Sequence, residues 1–454
     1  MTSKINVSKI IDDAEFGPFH WLLTILCTLC LIMDGFDVQA MGYVAPVLIR
    51  EWGVQNSALG PVFSAALVGV LFGSLGCSML ADRFGRRPML IGGCLYFSIA
   101  TLLTAQVHTI DQMLAIRFIA GLGLGGMMPN AMTLAGECSP KKQRVLAMMV
   151  AGTGFTAGAA LGGFLAAWLI PAFGWRAVFY FGGIIPLVIG LLMFLYLPES
   201  LQYLVLHGRK KETIQRWLMR LNPAAAPPLE TAEYTVEHRA RPGNPAAQLF
   251  REGRGATTAL LWIVNFMNLL NLYFLSSWIP TVVRDAGQST RTAVLAGAMV
   301  QVGGTIGPFV STWCINRFGF IRTLAVTFFC ASVSISTIGQ PGLSLVLLFA
   351  AIFFSGWCVV GSQPGINSLA AMFYPTHLRS TGMGWGLGIG RIGAIIGPYV
   401  GGQLMGLHWT NRQLFLAAAV PALISSIMTF SLSFVMKLPE PEAAELRRQH
   451  IVAH

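Results

Sequence analysis

The sequence predicts an all-α integral membrane protein, with twelve transmembrane helices arranged as two six-helix bundles, and three observations predict it. The first is composition: of 454 residues, 54% are hydrophobic and 11% charged, and mean hydropathy is +0.64. A soluble domain carries about a quarter of its residues as charges, because its surface must be wetted. The second is the length of the apolar runs, since about 20 mostly apolar residues are needed to cross about 30 Å of hydrocarbon. The third is the placement of the basic residues relative to those runs.

Hydropathy read between turn residues places the spans of the first half at 18–46, 57–81, 88–107, 111–137, 143–170 and 175–197. Before them, residues 1–17 are polar and include Asp12, Asp13 and Glu15, unlike a secretory leader. The charged turn Asp82–Arg87 separates spans two and three, Glu137-Cys138-Ser139-Pro140 closes span four, and Pro198-Glu199 follows span six. Residues 198–255 hold PAAAPP at 223–228, RPGNP at 241–245 and much of the charge, which predicts a linker between the halves. The second half then runs 256–284, 291–315, 321–339, 343–371, 378–405 and 410–437, so its bundle occupies 256–437 as the first occupies 18–197, and 438–454 is a tail.

Of 30 Lys and Arg, 23 fall in the even-numbered connections and the termini, and five (Arg50, Arg176, Arg284, Arg291, Arg412) in the odd ones. Basic residues are retained on the cytoplasmic side, so this asymmetry predicts cytoplasmic termini and linker. It also accounts for the net charge of +11 without nucleic acid; anionic membrane lipid is the expected partner of the basic loops. The eight cysteines lie in or beside apolar runs, where a thiol packs as a small hydrophobe. Cys27-x-x-Cys30 lacks the polar, accessible setting a redox or metal site needs. Gly121–Gly126 spells G-x-G-x-x-G but follows no strand, so the dinucleotide reading fails. No P-loop, nucleophile elbow or metal-ligand spacing is present. The expectation is therefore no enzyme, no catalytic residues, no metal and no cofactor.

The halves resemble each other, as in transporters built from repeats. Asp82-Arg83-Phe84-Gly85 recurs as Asn316-Arg317-Phe318-Gly319, 234 residues on. The glycines 152, 154 and 158 of span five match 384, 386 and 390 of span eleven at a separation of 232, which pairs Arg391 with Ala159.

Polar groups that persist inside spans point to function, because a charge near the bilayer centre is costly. Asp34-Gly35-Phe36-Asp37 places two carboxyls on one helix face. Two poorly solvated carboxylates raise at least one pKa toward neutrality, which suits proton coupling. The alternative is that one caps a helix break or pairs permanently with an arginine. Arg391 sits near mid-span after a glycine run, and its planar fork suits a carboxylate; its alternative is a fixed ion pair with an aspartate of span one. Arg117 lies inside span four and Glu137 near its end. Asn265, Asn268 and Asn271 form a stripe ending near Tyr273, and Gln363 and Asn367 flank Pro364. These amides either line a cavity or join helices. Phe36, Tyr273, Trp357 and Trp385 could stack on an aromatic ligand or serve packing alone.

Gly76-Cys-Ser-Met-Leu80-Ala81-Asp82-Arg83-Phe84-Gly85-Arg86-Arg87-Pro88 resembles the loop signature of the major facilitator superfamily. That resemblance implies an ion-pair latch between helix ends, here Asp82, Arg86, Arg144 and Glu199. Within the superfamily, four features resemble the aromatic acid:proton symporters: Asp34–Asp37, Arg117-Phe-Ile-Ala-Gly-Leu-Gly-Leu-Gly, Glu137, and Arg379 with Gly390-Arg391-Ile-Gly. The likeness covers essentially the whole chain. It implies that Asp34 and Asp37 couple proton and substrate, and that Arg117, Glu137, Arg379 and Arg391 serve transport, Arg391 nearest the carboxylate. Asn316 in place of aspartate implies a weaker second-half latch. The implied partners are a small aromatic carboxylate, hydroxybenzoate-like, and a proton, handled by a monomer in a bacterial inner membrane. Two rivals stand beside import by symport: a proton-coupled exporter of the same fold, and a membrane sensor that binds without transporting.

Overall fold

The computed structural model describes residues 3–208, 211–221, 232–235, 245–375 and 378–436, and these form an all-helical protein with one short strand pairing. Eleven helical stretches among the described residues are long and apolar enough to cross a membrane. The twelfth expected span also forms one helix, Arg379–Gly406, but its glycines and Arg391 leave it less apolar than the rest. The chain divides into two compact units, residues 1–241 with 283–298, and residues 242–282 with 299–454.

In the first unit, α1 (Val7–Asp12) precedes the long helix α2 (Pro18–Trp52). Sequence reading ends the first span at Pro46; the helix runs through Pro46 and stops at Gly53, whose φ of +62° reverses the chain. Then come α3 (Leu59–Phe84), α4 (Arg86–Thr104), α5 (Ile110–Leu124), α6 (Met127–Glu137), α7 (Arg144–Phe173) and α8 (Arg176–Tyr196). Span four is thus two helices, interrupted at Gly125-Gly126. Helix α2 packs on α7 and α8, α3 on α5, and α4 on α8. The α2–α7 crossing is close because small residues line it: a methyl at Gly158 would overlap the Ile32 carbonyl, and one at Gly35 the Phe155 carbonyl.

The segment expected to be the linker spans 198–255. It carries α9 (Leu201–Leu206), α10 (Lys211–Leu221) and the strand β2 (Ala232–Thr235), which pairs in parallel with β1 (Ser3–Asn6). Residues 3–6 are thus strand-paired with this segment. Residues 222–231 and 236–244, with both proline-rich motifs apart from Pro245, and the tail 438–454 lie outside the described residues.

The second unit holds α11 (Pro245–Gln248), α12 (Gly255–Asp285), the greater part of α13 (Thr290–Phe318), α14 (Phe320–Ile338), α15 (Leu345–Val359), α16 (Gln363–Phe373), α17 (Arg379–Gly406) and α18 (Asn411–Val435). Span ten is interrupted at Val360–Ser362, as span four is at Gly125-Gly126. Helices α5 and α15 both have 15 residues, and α6 and α16 both have 11. Starts at Arg86 and Phe320, Ile110 and Leu345, Arg144 and Arg379, and Arg176 and Asn411 are separated by 234 or 235 residues. This register corrects the separation of 232 for the glycines: Gly158 matches Gly393, and the counterpart of Arg391 is Thr156, not Ala159. Packing agrees, since Gly158 abuts Ile32 and Gly393 abuts Phe266. Carried along α2 and α12, the same register sets Asp34 against Asn268 and Asp37 against Asn271.

Candidate functional site

In the first unit the interior polar group is an ion pair. Asp37 on α2 and Arg117 on α5 are 0% and 1% exposed, and the guanidinium grips the carboxylate with Nη2 to Oδ2 at 2.9 Å and Nη1 to Oδ1 at 3.2 Å. Arg117 Nη2 also donates to the Asp37 carbonyl (3.1 Å), and Thr101 Oγ1 on α4 donates to Asp37 Oδ1 (2.9 Å). The Phe179 ring of α8 lies 5.9 Å from the guanidinium carbon. A charge pair held this tightly, with the remaining lone pairs met by a hydroxyl, is the form in which both charges persist in a dry interior. Asp34 lies one turn before Asp37 and is 4% exposed. A permanent arginine partner is one of the alternatives for this aspartate pair, and the arginine placed beside Asp37 is Arg117. Thr101 was not legible: it sits in an apolar run with no motif around it.

At the linker end of the first unit a second cluster forms. Arg86, the first residue of α4, forks onto Glu137 at the end of α6 (Nε to Oε2 2.9 Å, Nη2 to Oε1 2.7 Å), and Ser200 Oγ donates to Glu137 Oε2 (2.6 Å). Glu199 Oε1 accepts from the backbone N–H groups of Arg86 (3.0 Å), Arg87 (3.1 Å) and Ser200 (2.9 Å), so it caps the N-terminus of α4 from outside the helix. Gly85 makes room: its φ of +103° suits glycine, and a methyl there would overlap Glu199 Oε2. Burial pushes the Glu199 carboxyl above its ordinary range, opposed by those N–H donors. Among the residues expected in a latch, Arg86 and Glu199 are thus neighbours. Arg144 instead pairs with Asp12 of α1 and donates to the Gly136 carbonyl (3.0 Å). Glu137, assigned by resemblance to transport, sits in this cluster. In sequence Asp12 is one of three acids in a polar lead, with nothing to single it out. The Asp82 side chain lies outside the described residues.

In the second unit the polar interior is built from amides. Asn268 Nδ2 donates to Gln363 Oε1 (2.8 Å), and Gln363 Nε2 donates to Asn265 Oδ1 (3.0 Å) and Asn367 Oδ1 (3.3 Å). Asn271 belongs to a different interface: its amide donates to the Ala418 carbonyl (2.8 Å) and accepts from Ala422 N–H (3.1 Å), joining α12 to α18. Trp385 is 48% exposed and stacks on Trp262, with centroids 5.9 Å apart and rings 20° from parallel. Tyr273 is half-buried on α12. Arg379 is the first residue of α17 and Arg391 lies twelve residues further along it, both half-buried.

The repeat shows what distinguishes the halves. Positions matching Arg117, Thr101 and Phe179 are Ile352, Ile335 and Leu414, all buried. The second unit therefore has neither the acid nor the base of the first unit's pair at these sites.

Comparison with known proteins agrees with this architecture. Residues 27–338 and 261–452 match the Major Facilitator Superfamily. The chain is 38% identical over 423 residues to the 4-hydroxybenzoate transporter PcaK of Pseudomonas aeruginosa, covering 93% of this chain and 94% of that one. It is 36% identical to the gallate transporter of Pseudomonas putida (93% and 94% covered) and 33% identical to the benzoate transport protein of Acinetobacter baylyi (97% and 96% covered). Among solved structures, a bacterial homolog of the human lysosomal transporter Spinster superposes with a TM-score of 0.71 at 17% identity, covering 92% of this chain and 98% of that one. The xylose transporter XylE of Escherichia coli gives 0.71 at 15% identity, covering 90% and 96%. These two show the fold alone. On the family match, the helical repeat and the apolar spans together, the chain belongs to the Major Facilitator Superfamily and is a multi-pass membrane transporter, not an enzyme.

Proposed function

We propose that the chain imports an aromatic carboxylic acid by proton symport, through alternating access of its two units, in a bacterial inner membrane with both termini cytoplasmic. Relatives named for 4-hydroxybenzoate, gallate and benzoate transport support the substrate class. The observation that carries the coupling is the buried Asp37–Arg117 fork with Asp34 one turn away. In a low-dielectric interior the sum of charges must stay near zero through the cycle. A proton taken up at Asp34 or Asp37 removes one negative charge, and a substrate carboxylate docked at Arg391 restores one. Either alone leaves an unbalanced charge that opposes closure; both together do not. The latch residues Arg86, Glu137 and Glu199 would hold one state of the cycle, Arg144 being committed to Asp12, and Arg379 would support the second unit at the start of α17.

The test is uptake of labelled aromatic acids into proteoliposomes with an inward proton gradient imposed or collapsed. Accumulation is expected only with the gradient, and efflux driven by it would overturn import. Arg391→Ala is expected to lose binding. Asp34→Asn or Asp37→Asn is expected to lose accumulation while retaining exchange, and undiminished accumulation in both would overturn the coupling.

A further inference from the structure

The amide network of the second unit has a direction. Asn265 is tied by its Nδ2 to the Leu261 carbonyl (3.1 Å), which turns its Oδ1 toward Gln363. Gln363 must then present Nε2 to Asn265 and Asn367, and so Oε1 to Asn268. That fixes Asn268 with Nδ2 toward Gln363 and Oδ1 away from it. Asn268 is 2% exposed, and its Oδ1 is buried with no hydrogen-bond partner. A buried carbonyl oxygen without a donor is unfavourable, and the network prevents the amide from flipping to relieve it. The position is also set apart by the repeat, because its counterpart in the first unit is Asp34.

What fits Asn268 Oδ1 is an O–H or N–H donor. A carboxylate only accepts, so this atom repels the acid group of an aromatic acid and suits a phenolic hydroxyl. The surroundings suit the ring: Trp262 stands on the same face of α12, one turn before Asn265, and stacks on Trp385. Gly386 brings α17 alongside, since a methyl there would lie 3.4 Å from Asn265 Nδ2 and 3.9 Å from Trp262 Cδ1.

We propose that Asn268, oriented by Gln363, is the specificity-determining residue that accepts a hydrogen bond from a ring hydroxyl of the substrate. This rests on the aromatic-acid reading above and narrows it to hydroxylated acids. A site built around a fixed acceptor discriminates against analogues without the donor, because binding them leaves the acceptor unpaired.

The experiment is binding of 4-hydroxybenzoate, 4-methoxybenzoate and benzoate to the purified full chain in nanodiscs, by calorimetry or competition. The chain is expected to bind the hydroxylated acid about tenfold more tightly than both others, the worth of one hydrogen bond to a buried partner. The methoxy compound keeps the oxygen but has no proton to donate, so equal binding of it and 4-hydroxybenzoate overturns the proposal without any variant. Asn268→Leu is expected to bring the three affinities together. Preference retained in Asn268→Leu overturns the proposal, as does a helix-joining role that lowers all three affinities alike. Gln363→Met, which releases the Asn268 amide, is expected to weaken the preference in the same direction. If none of the three acids binds, the aromatic-acid reading fails and the proposal with it; binding without preference overturns the proposal alone.

Discussion

At the scale of single residues, the buried ion pair between Asp37 and Arg117 bears on stability. Removing one partner leaves the other charged and buried, so Arg117→Met is expected to cost about 3–5 kcal/mol. The double variant Asp37→Asn/Arg117→Met should recover most of that loss, and thermal melting of the two in nanodiscs measures the coupling. Glu199 makes a pH prediction. Its folded pKa is raised by burial above the ordinary 4.5, so the unfolded chain releases this proton first as pH rises. The contribution is complete below about 4.5 and is lost as pH rises through the folded value. Relative to Glu199→Gln, which has no proton to lose, the protein should lose stability over that window; a constant difference between the two melting curves would overturn the assignment. The aspartates and arginines were legible in sequence because charge inside an apolar run stands out. Their partners were less so: an arginine partner stood only as a general alternative, with Arg391 the one arginine named for such a pair, and Thr101 and Ser200 carry no signal without the fold.

At the scale of helices, the interfaces rest on glycine spacing. In α17 the glycines alternate along 382–390 as in a strand, yet the helix turns Gly382, Gly386, Gly390 and Gly393 inward. Gly384 and Gly388 face open space. Gly384→Ala is therefore expected to be neutral or to stabilise by up to about 1 kcal/mol. Gly393→Ala, which meets the Phe266 carbonyl, should destabilise by about 1–3 kcal/mol. Equal melting temperatures for the two variants would overturn this account of the α12–α17 crossing. Span ends were legible to within a few residues, because turn residues and charges punctuate them. The breaks in spans four and ten were not, since apolar residues continue across both. The available signal was proline: Pro129 and Pro364 stand in the first turns of α6 and α16, where a missing N–H costs nothing.

At the scale of the molecule, the folded N-terminal residues are the feature that composition concealed. They look like a polar lead, but β1 pairs with β2 of the linker, Asp12 pairs with Arg144, and the Lys141 N–H donates to the Asp12 carbonyl (3.3 Å). The paired strands lie 229 positions apart in sequence and Asp12 lies 132 positions before Arg144, separations that local pattern does not reveal. Deleting residues 1–13 is expected to lower the melting temperature and to speed hydrogen exchange at 232–235, with the exchange of α2 and α7 unchanged. The family, the all-helical membrane fold and the two-fold repeat were legible, because lipid imposes composition and duplication imposes periodicity.

The repeat also acts as an experiment already performed. Two copies of one architecture differ at matched interior positions, Asp37 and Arg117 in one, Asn271 and Ile352 in the other. Each copy is electroneutral there, and no copy holds half of the pair. Converting one version into the other through single substitutions passes through a chain with a lone buried charge, disfavoured in either order. The route therefore runs through simultaneous change or through a protonated aspartate, which is neutral without its arginine. Pedigree and proton chemistry meet at the same carboxyl: the state that lets such a pair be dismantled over generations is the state that the proposed symport would visit in every turnover.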